Sequence, residues 1–187
     1  MFLRALRVQN SIELSPDKLY FVRVVFKRIK ESLMTPDNLS LGICGAILAF
    51  TFAAFGSAIG AYAAASATIG AWKRNYIQGK AASTMLLGFI GMTLSQTIYG
   101  MLLMNTMTDV AKDGANGLVL LIIGVVAGIV IGFSALAQGK ASAVAADAFG
   151  ETGKGFGNAI AAVGVIEVSI LFLVIFAMGS LALLVPA

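Results

Sequence analysis

The chain has 187 residues, of which 59% are hydrophobic and only 12% charged, so its apolar fraction exceeds that of soluble domains and indicates a membrane protein. The net charge of +4 comes mostly from the N-terminal segment, which argues against a nucleic-acid-binding surface elsewhere. Histidine is absent and Cys44 is the one cysteine, which excludes an intrachain disulfide and argues against transition-metal chemistry. We expect no organic cofactor.

Residues 1–33 form a basic N-terminal extension with seven cations and three acids. The pattern of residues 20–33 predicts an amphipathic helix of the kind that lies in a membrane interface. The positive-inside tendency places the later basic loops in the cytoplasm and this extension outside, where so many cations are anomalous. We therefore hypothesise that the native protein begins at Met34 and that the upstream residues are a wrongly assigned start or a cloning remnant.

Four long uncharged runs follow, and each approaches or exceeds the roughly 20 residues that cross a hydrocarbon core as a helix. We predict four transmembrane helices, at 38–72, 80–107, 117–149 and 155–184. The short connections force neighbouring helices to run antiparallel. Residues 34–108 therefore form a first helical hairpin and residues 117–187 a second, and the fold class is an all-α membrane protein.

The two hairpins are related by an internal duplication. Residues 57–59 (Ser-Ala-Ile) in the first helix correspond to residues 134–136 (Ser-Ala-Leu) in the third, and small residues and a polar loop follow each triplet. Gln96 in the second helix falls where Glu167 falls in the fourth. Because Gln96 cannot ionise, each chain carries one ionisable site for two hairpins.

Small residues recur at every fourth position in the first and third helices, and in lipid such stripes let helix backbones approach closely. They are Gly45, Ala49, Ala53, Ser57, Ala61 and Ala65 in the first helix and Gly124, Gly128 and Gly132 in the third. We predict that they line the crowded inner wall of a ring of identical chains. The alternative is a pair of stripes that merely holds the four helices of one chain together.

Glu167 is the one carboxylate deep inside a predicted span, well separated from both ends of the fourth helix. An ionised carboxylate at the centre of a membrane costs roughly 2.5 to 3.5 kcal/mol on insertion scales, so it marks a functional site unless something neutralises it. No Lys, Arg or His lies in a span near that depth. The neutralising species must therefore be a bound cation, a proton or a residue of another protein.

The second and third helices offer oxygen atoms that suit a hard cation. The second helix carries Met92, Ser95, Gln96 and Tyr99 on one face, at a depth equivalent to that of Glu167, and the third adds Gln138. Two amide oxygens, a hydroxyl and a carboxylate match Na⁺ better than a bare proton. The alternative is that the two glutamines merely hydrogen-bond across helices.

At these positions the chain resembles a known family, the duplicated-hairpin proteolipid that forms the K (c-type) subunit of bacterial and archaeal V-type (V/A-type) rotary ATPases. The resemblance covers residues from about Leu39 to the C-terminus. It is carried by Ser-Gln-Thr-Ile-Tyr-Gly at 95–100, Phe-Ser-Ala-Leu-Ala-Gln-Gly-Lys at 133–140 and Val-Ile-Glu at 165–167. The chain departs from the family pattern with Val-Ser at 168–169, where Thr-Tyr is more usual, and with Thr-Leu at 93–94 in place of Pro-Gly.

In sodium-translocating members, the resemblance implies that Glu167 is the essential ion-binding carboxylate and that Tyr99 donates its hydroxyl to it and holds it closed. The further Na⁺ ligands that it implies are the side chains of Gln96, Gln138 and Ser95 and the backbone carbonyl of Met92. A proton takes the place of Na⁺ in the alternative version of the same site.

The resemblance implies a function as the membrane rotor ring of a V-type ATPase, built from identical copies that turn against a static membrane subunit. An arginine of that subunit would face Glu167 and release its ion, and lipid would surround the carboxylate elsewhere. ATP hydrolysis belongs to other subunits, so this chain is a transport component and not itself an enzyme. The cytoplasmic loops would contact the central stalk through Lys73, Arg74, Lys80, Lys140 and Lys154.

We expect a multi-pass protein of a bacterial or archaeal cell membrane. Both termini would lie outside, and the loops between helices 1 and 2 and between helices 3 and 4 would lie in the cytoplasm. Two alternatives stay open at this point. One is a ring of the same fold that carries protons, and the other is a four-helix channel or transporter unrelated to rotation.

Overall fold

The computed structural model describes Tyr20, Arg23, Val24 and residues 37–186. Apart from those first three residues, the N-terminal extension 1–33 lies outside the described part of the chain. The interfacial helix at 20–33 and the start at Met34 therefore stay predictions. The chain from Asn38 onward forms one unit, and every element below belongs to it.

The described unit is all-helical. Its elements are α1 (Asn38–Ile77), α2 (Leu86–Gly91), a 3-10 turn (Met92–Leu94), α3 (Ser95–Lys112), α4 (Gly117–Thr152), α5 (Phe156–Leu181) and a second 3-10 turn (Ala182–Leu184). We call α2, the first 3-10 turn and α3 together the second span. The second span, α1, α4 and α5 with the turn that follows it are each long and apolar enough to cross a membrane, which makes the chain a multi-pass membrane protein by length and composition.

The helix ends differ from the predicted ones by a few residues, and tertiary contacts account for the largest difference. The second span begins at Leu86 and not at residue 80, because the indole nitrogen of Trp72 donates to the carbonyl of Ser83 over 2.9 Å and holds the loop against α1. At its other end, the second span continues beyond the predicted residue 107 to Lys112.

The second span is interrupted by a 3-10 turn, which the sequence pattern did not predict. The hydroxyl of Thr93 donates to the carbonyl of Ile90 over 3.3 Å and lies 3.5 Å from the carbonyl of Ser57 on α1. A threonine that bonds back into its own helix competes with the regular backbone pattern and bends it. The interruption falls immediately before Ser95 and Gln96, the two polar residues that the sequence analysis places in the site.

The small-residue stripes of α1 and α4 pack against each other within one chain, and these two helices make the most extensive helix contact of the unit. Gly124 lies against the backbone of Gly45, and Gly128 lies against the backbone of Ala49, so a Cβ atom at either Gly124 or Gly128 would overlap main-chain atoms. This is the contact that a pair of stripes holding one chain together predicts. The ring stays a prediction.

Polar contacts join the helix ends at both ends of the bundle. The side-chain amide of Asn38 donates to the carbonyl of Ala115 over 2.7 Å, which ties the start of α1 to the loop before α4. At the other end, Arg74 on α1 forms ion pairs with Asp147 and Glu151 on α4. Because both carboxylates are exposed and Arg74 is partly exposed, these pairs contribute little to stability.

Candidate ion-binding site

Glu167 lies on the inward-facing stripe of α5. The buried residues of that helix are Val163, Ile170, Val174 and Leu181. Glu167 is one helical turn after Val163 and three residues before Ile170, so it points to the same side as they do. Its side chain is half-buried. The carboxylate therefore contacts the bundle while keeping one edge at the surface of the chain.

Two side chains from other spans hydrogen-bond the carboxylate. The hydroxyl of Tyr99 on α3 donates to Oε1 of Glu167 over 2.6 Å, and Nε2 of Gln138 on α4 donates to Oε2 over 3.2 Å. The same nitrogen lies 3.5 Å from the carbonyl of Val163, at the edge of hydrogen-bonding distance. Each carboxylate oxygen thus accepts one hydrogen bond. An ionised carboxylate, which only accepts, fits this arrangement.

The hydrogen bonds continue from Gln138 into the second span. Nε2 of Gln96 donates to Oε1 of Gln138 over 2.6 Å, and the hydroxyl of Ser95 lies 3.1 Å from Oε1 of Gln96. Both glutamine side chains are fully buried. A buried amide without partners is costly, and here each amide uses its oxygen and its nitrogen.

The carbonyl of Met92 belongs to the same cluster, because the hydroxyl of Ser95 lies 3.0 Å from it. Met92 is the first residue of the 3-10 turn, where the regular hydrogen-bond pattern of the span changes. The structure thus brings together all of the predicted site residues, and none of them lies elsewhere in the bundle. They are Met92, Ser95, Gln96, Tyr99, Gln138 and Glu167.

Among the described residues, the site brings together oxygen atoms that can act as ligands and contains no basic side chain. Arg74 and Lys112 form ion pairs with other acidic side chains, and neither of these pairs involves Glu167. Within residues 37–186 no three His, Cys, Asp or Glu side chains come together, so the chemistry of the site is that of one carboxylate beside neutral hydroxyl and amide groups. Such a set of groups, with one negative charge, fits a hard monovalent cation or a proton, and it differs from the thiolate and imidazole ligands that suit zinc, copper and iron.

Two contributors to the site are absent from the sequence prediction. The fully buried Thr93 sets the break in the second span, and Val163 offers its backbone carbonyl to Gln138. The sequence did mark Thr93, because Thr-Leu at 93–94 replaces the Pro-Gly of the family that the chain resembles. Nothing in the sequence marks a carbonyl at Val163, because any residue there would supply one.

Comparison of the chain with protein-family models, with curated proteins and with solved structures gives no significant match. The function of the chain is therefore argued from the site itself.

Proposed function

We propose that this chain is the proteolipid subunit of the rotor ring of a V-type rotary ATPase, and that it carries Na⁺ across the membrane on Glu167. One observation carries the proposal. The carboxylate of Glu167 accepts hydrogen bonds from Tyr99 and from Gln138, which lie on two other spans. A single carboxylate inside an apolar bundle needs a cation to neutralise it, and the neighbouring oxygens of Gln96 and Ser95 suit Na⁺.

In the proposed cycle the charge of Glu167 controls where the chain can move. With its ion bound, the carboxylate is neutral and passes through lipid. When an arginine of the static membrane subunit faces it, the arginine pairs with the carboxylate and releases the ion. The half-buried position of Glu167 on α5 supports this step, because a group from another subunit can reach the carboxylate without opening the bundle.

Carbodiimide labelling of Glu167 tests the proposal. The reagent reacts with a protonated carboxyl group, so a bound Na⁺ protects it. If Na⁺ and a proton compete for one site, the Na⁺ concentration that gives half-protection rises about tenfold for each unit of pH below the midpoint of protonation. If Na⁺ did not protect Glu167 from the reagent at any pH, a sodium site would be ruled out.

A proton-carrying ring is the second candidate, and the direction of the amides favours it. The oxygens of Gln96 and Gln138 each already accept one hydrogen bond within the site, and Nε2 of Gln138, not its oxygen, faces Glu167. A proton needs one carboxylate and one acceptor and leaves this network otherwise unchanged. Labelling that depends on pH and is indifferent to Na⁺ would select this candidate over the first.

A further inference from the structure

Two serine hydroxyls are buried in the described chain without a hydrogen bond to any of its groups, those of Ser57 on α1 and Ser142 on α4. Ser57 is only 2% exposed, so bulk solvent does not reach its hydroxyl. A buried hydroxyl that makes no hydrogen bond destabilises a fold, and buried polar groups in proteins nearly always have a partner. The hydroxyl of Ser57 therefore requires a partner other than a group of this chain.

Ser57 does not use the partner that its own helix offers. A serine or threonine in a helix can donate to the carbonyl four residues earlier. Six hydroxyls of the described chain do so, among them those of Thr51 and Ser66 on the same helix. For Ser57 the corresponding carbonyl is that of Ala53, and no such hydrogen bond forms. Its hydroxyl is therefore available to a group outside α1.

Close contacts define which part of the second span faces Ser57. A Cβ atom at Gly100 would overlap the side chain of Ala53, and a Cβ atom at Gly60 would lie 3.2 Å from the methyl carbon of Thr93. Residues 53, 57 and 60 share one face of α1, because they are four and three positions apart. Ser57 lies between the two contacts, so it faces the second span between Thr93 and Gly100.

The fully buried side chain of Gln96 lies at that level. Within the described residues its nitrogen donates one hydrogen bond, to Gln138, although an amide nitrogen carries two hydrogens. The hydroxyl of Thr93 is a further polar group at the same place, 3.5 Å from the carbonyl of Ser57. Polar groups that face each other without a direct hydrogen bond can be joined by a water molecule.

We propose that a buried water molecule bridges Ser57 and Gln96. The water accepts the second hydrogen of the Gln96 amide and the hydrogen of the Ser57 hydroxyl, and it donates one of its own hydrogens to the hydroxyl oxygen of Thr93. Buried waters typically make about three hydrogen bonds, which matches these three partners. Through this water α1, which supplies none of the predicted site residues, contacts the buried amides of the site. The inference does not depend on which cation Glu167 carries.

The sign of a stability change tests the inference. If the hydroxyl of Ser57 had no partner, Ser57→Ala would remove a destabilising group and raise the unfolding temperature. If the hydroxyl binds water, the same variant removes a hydrogen bond and lowers it. Ser66→Ala is the matched control, because Ser66 is an exposed serine of the same helix that bonds back to its own backbone. We expect Ser57→Ala in the full chain to unfold about 2 to 4 °C below the control, as the loss of one hydrogen bond implies. An unfolding temperature equal to or above that of the control overturns the inference.

A structure of the full chain in lipid, determined at a resolution that shows ordered water, tests the occupant directly. We expect density within hydrogen-bonding distance of the Ser57 hydroxyl and the Gln96 nitrogen, in buffers with and without Na⁺. The density should be lost in Ser57→Ala and kept in Ser66→Ala. Density that is absent from the unmodified chain, or that persists unchanged in Ser57→Ala, overturns the bridge. Density that requires Na⁺ identifies the occupant as the cation and overturns its assignment as water. None of these results removes the hydrogen bonds of Glu167, so failure here leaves the proposed function to its own test.

Discussion

The hydroxyl of Tyr99 lies 2.6 Å from Oε1 of Glu167, although the two residues are 68 positions apart and belong to different predicted hairpins. The carboxylate of Glu167, in the second hairpin, therefore accepts a hydrogen bond from a residue of the first hairpin, which has Gln96 in place of a carboxylate. This relationship makes the first hairpin a working part of the site, because it supplies Tyr99 as well as Gln96 and Ser95. The predictions below use substitutions that separate the roles of these groups.

Tyr99→Phe should weaken ion retention while leaving the fold intact. The substitution removes the hydroxyl that donates to Glu167 and keeps the ring that packs in the bundle. A hydrogen bond to a charged group is worth about 1.5 to 3 kcal/mol, so the Na⁺ concentration for half-protection from carbodiimide should rise by about 10- to 150-fold. The matched control is Tyr62→Phe, because Tyr62 is 73% exposed on α1. Equal behaviour of the two variants would contradict a closing role for Tyr99.

Gln96→Leu should weaken ion binding and also lower the stability of the fold. Leucine is similar in size, but it leaves Oε1 of the fully buried Gln138 without its donor. An unsatisfied buried group costs about 1 to 3 kcal/mol, so thermal unfolding should occur at lower temperature and Na⁺ protection should weaken by about tenfold or more. Gln78→Leu is the control, since Gln78 lies exposed after α1. An unchanged unfolding temperature for Gln96→Leu would show that the amide pair is not a stabilising contact.

The four spans could be predicted from the sequence, because long apolar runs with few charges are typical of transmembrane helices. The start of the second span at Leu86 could not be predicted from the sequence, because it depends on the hydrogen bond from Trp72 to the carbonyl of Ser83. The 3-10 turn at Met92–Leu94 likewise depends on contacts of Thr93 with α1. Both differences arise from tertiary contacts, which local patterns do not report.

The site residues follow from helical spacing and from the rule that buried polar groups seek partners. Spacing places Ser95 and Gln96 at the depth of Glu167, and the structure brings them into one network. The direction of each hydrogen bond does not follow from spacing. An amide can donate or accept, and the choice at Gln138 depends on neighbours from two other spans.

Gly56→Ala should destabilise the bundle, whereas Gly70→Ala in the same helix should not. A Cβ atom at Gly56 would overlap the backbone of Gly132, and no side-chain rotation relieves a contact with main chain. Overpacking of this kind costs about 1 to 3 kcal/mol or more. Gly70 has open space at the corresponding position, and alanine is favoured over glycine in helices by up to about 1 kcal/mol. Thermal unfolding in detergent measures the difference, and equal effects would contradict close packing of α1 on α4.

The assembly state separates the rotary proposal from a four-helix channel or transporter. Many exposed apolar side chains cover the described chain, among them Phe55 on α1 and Phe176 on α5, and either lipid or other copies can cover them. The rotor proposal predicts one oligomer of many copies in mild detergent, with a single defined mass by native mass spectrometry. A monomer or dimer that still binds Na⁺ would support the channel or transporter and reject the ring.

Glu167→Gln should abolish ion transfer without unfolding the chain. Glutamine has nearly the same shape and can accept from Tyr99 through its oxygen, but its nitrogen then faces Nε2 of Gln138. The network therefore loses its charge and the bond from Gln138, while the bonds from Tyr99 and among the other residues persist. Ion uptake by liposomes that contain the assembled complex should fall to background, and carbodiimide labelling at position 167 should vanish. Glu151→Gln serves as control, because Glu151 is an exposed carboxylate that pairs with Arg74 at the end of α4. If ion uptake survived in Glu167→Gln, the neutral oxygens alone would suffice for transfer, and the charge of the carboxylate could not be what holds the ion.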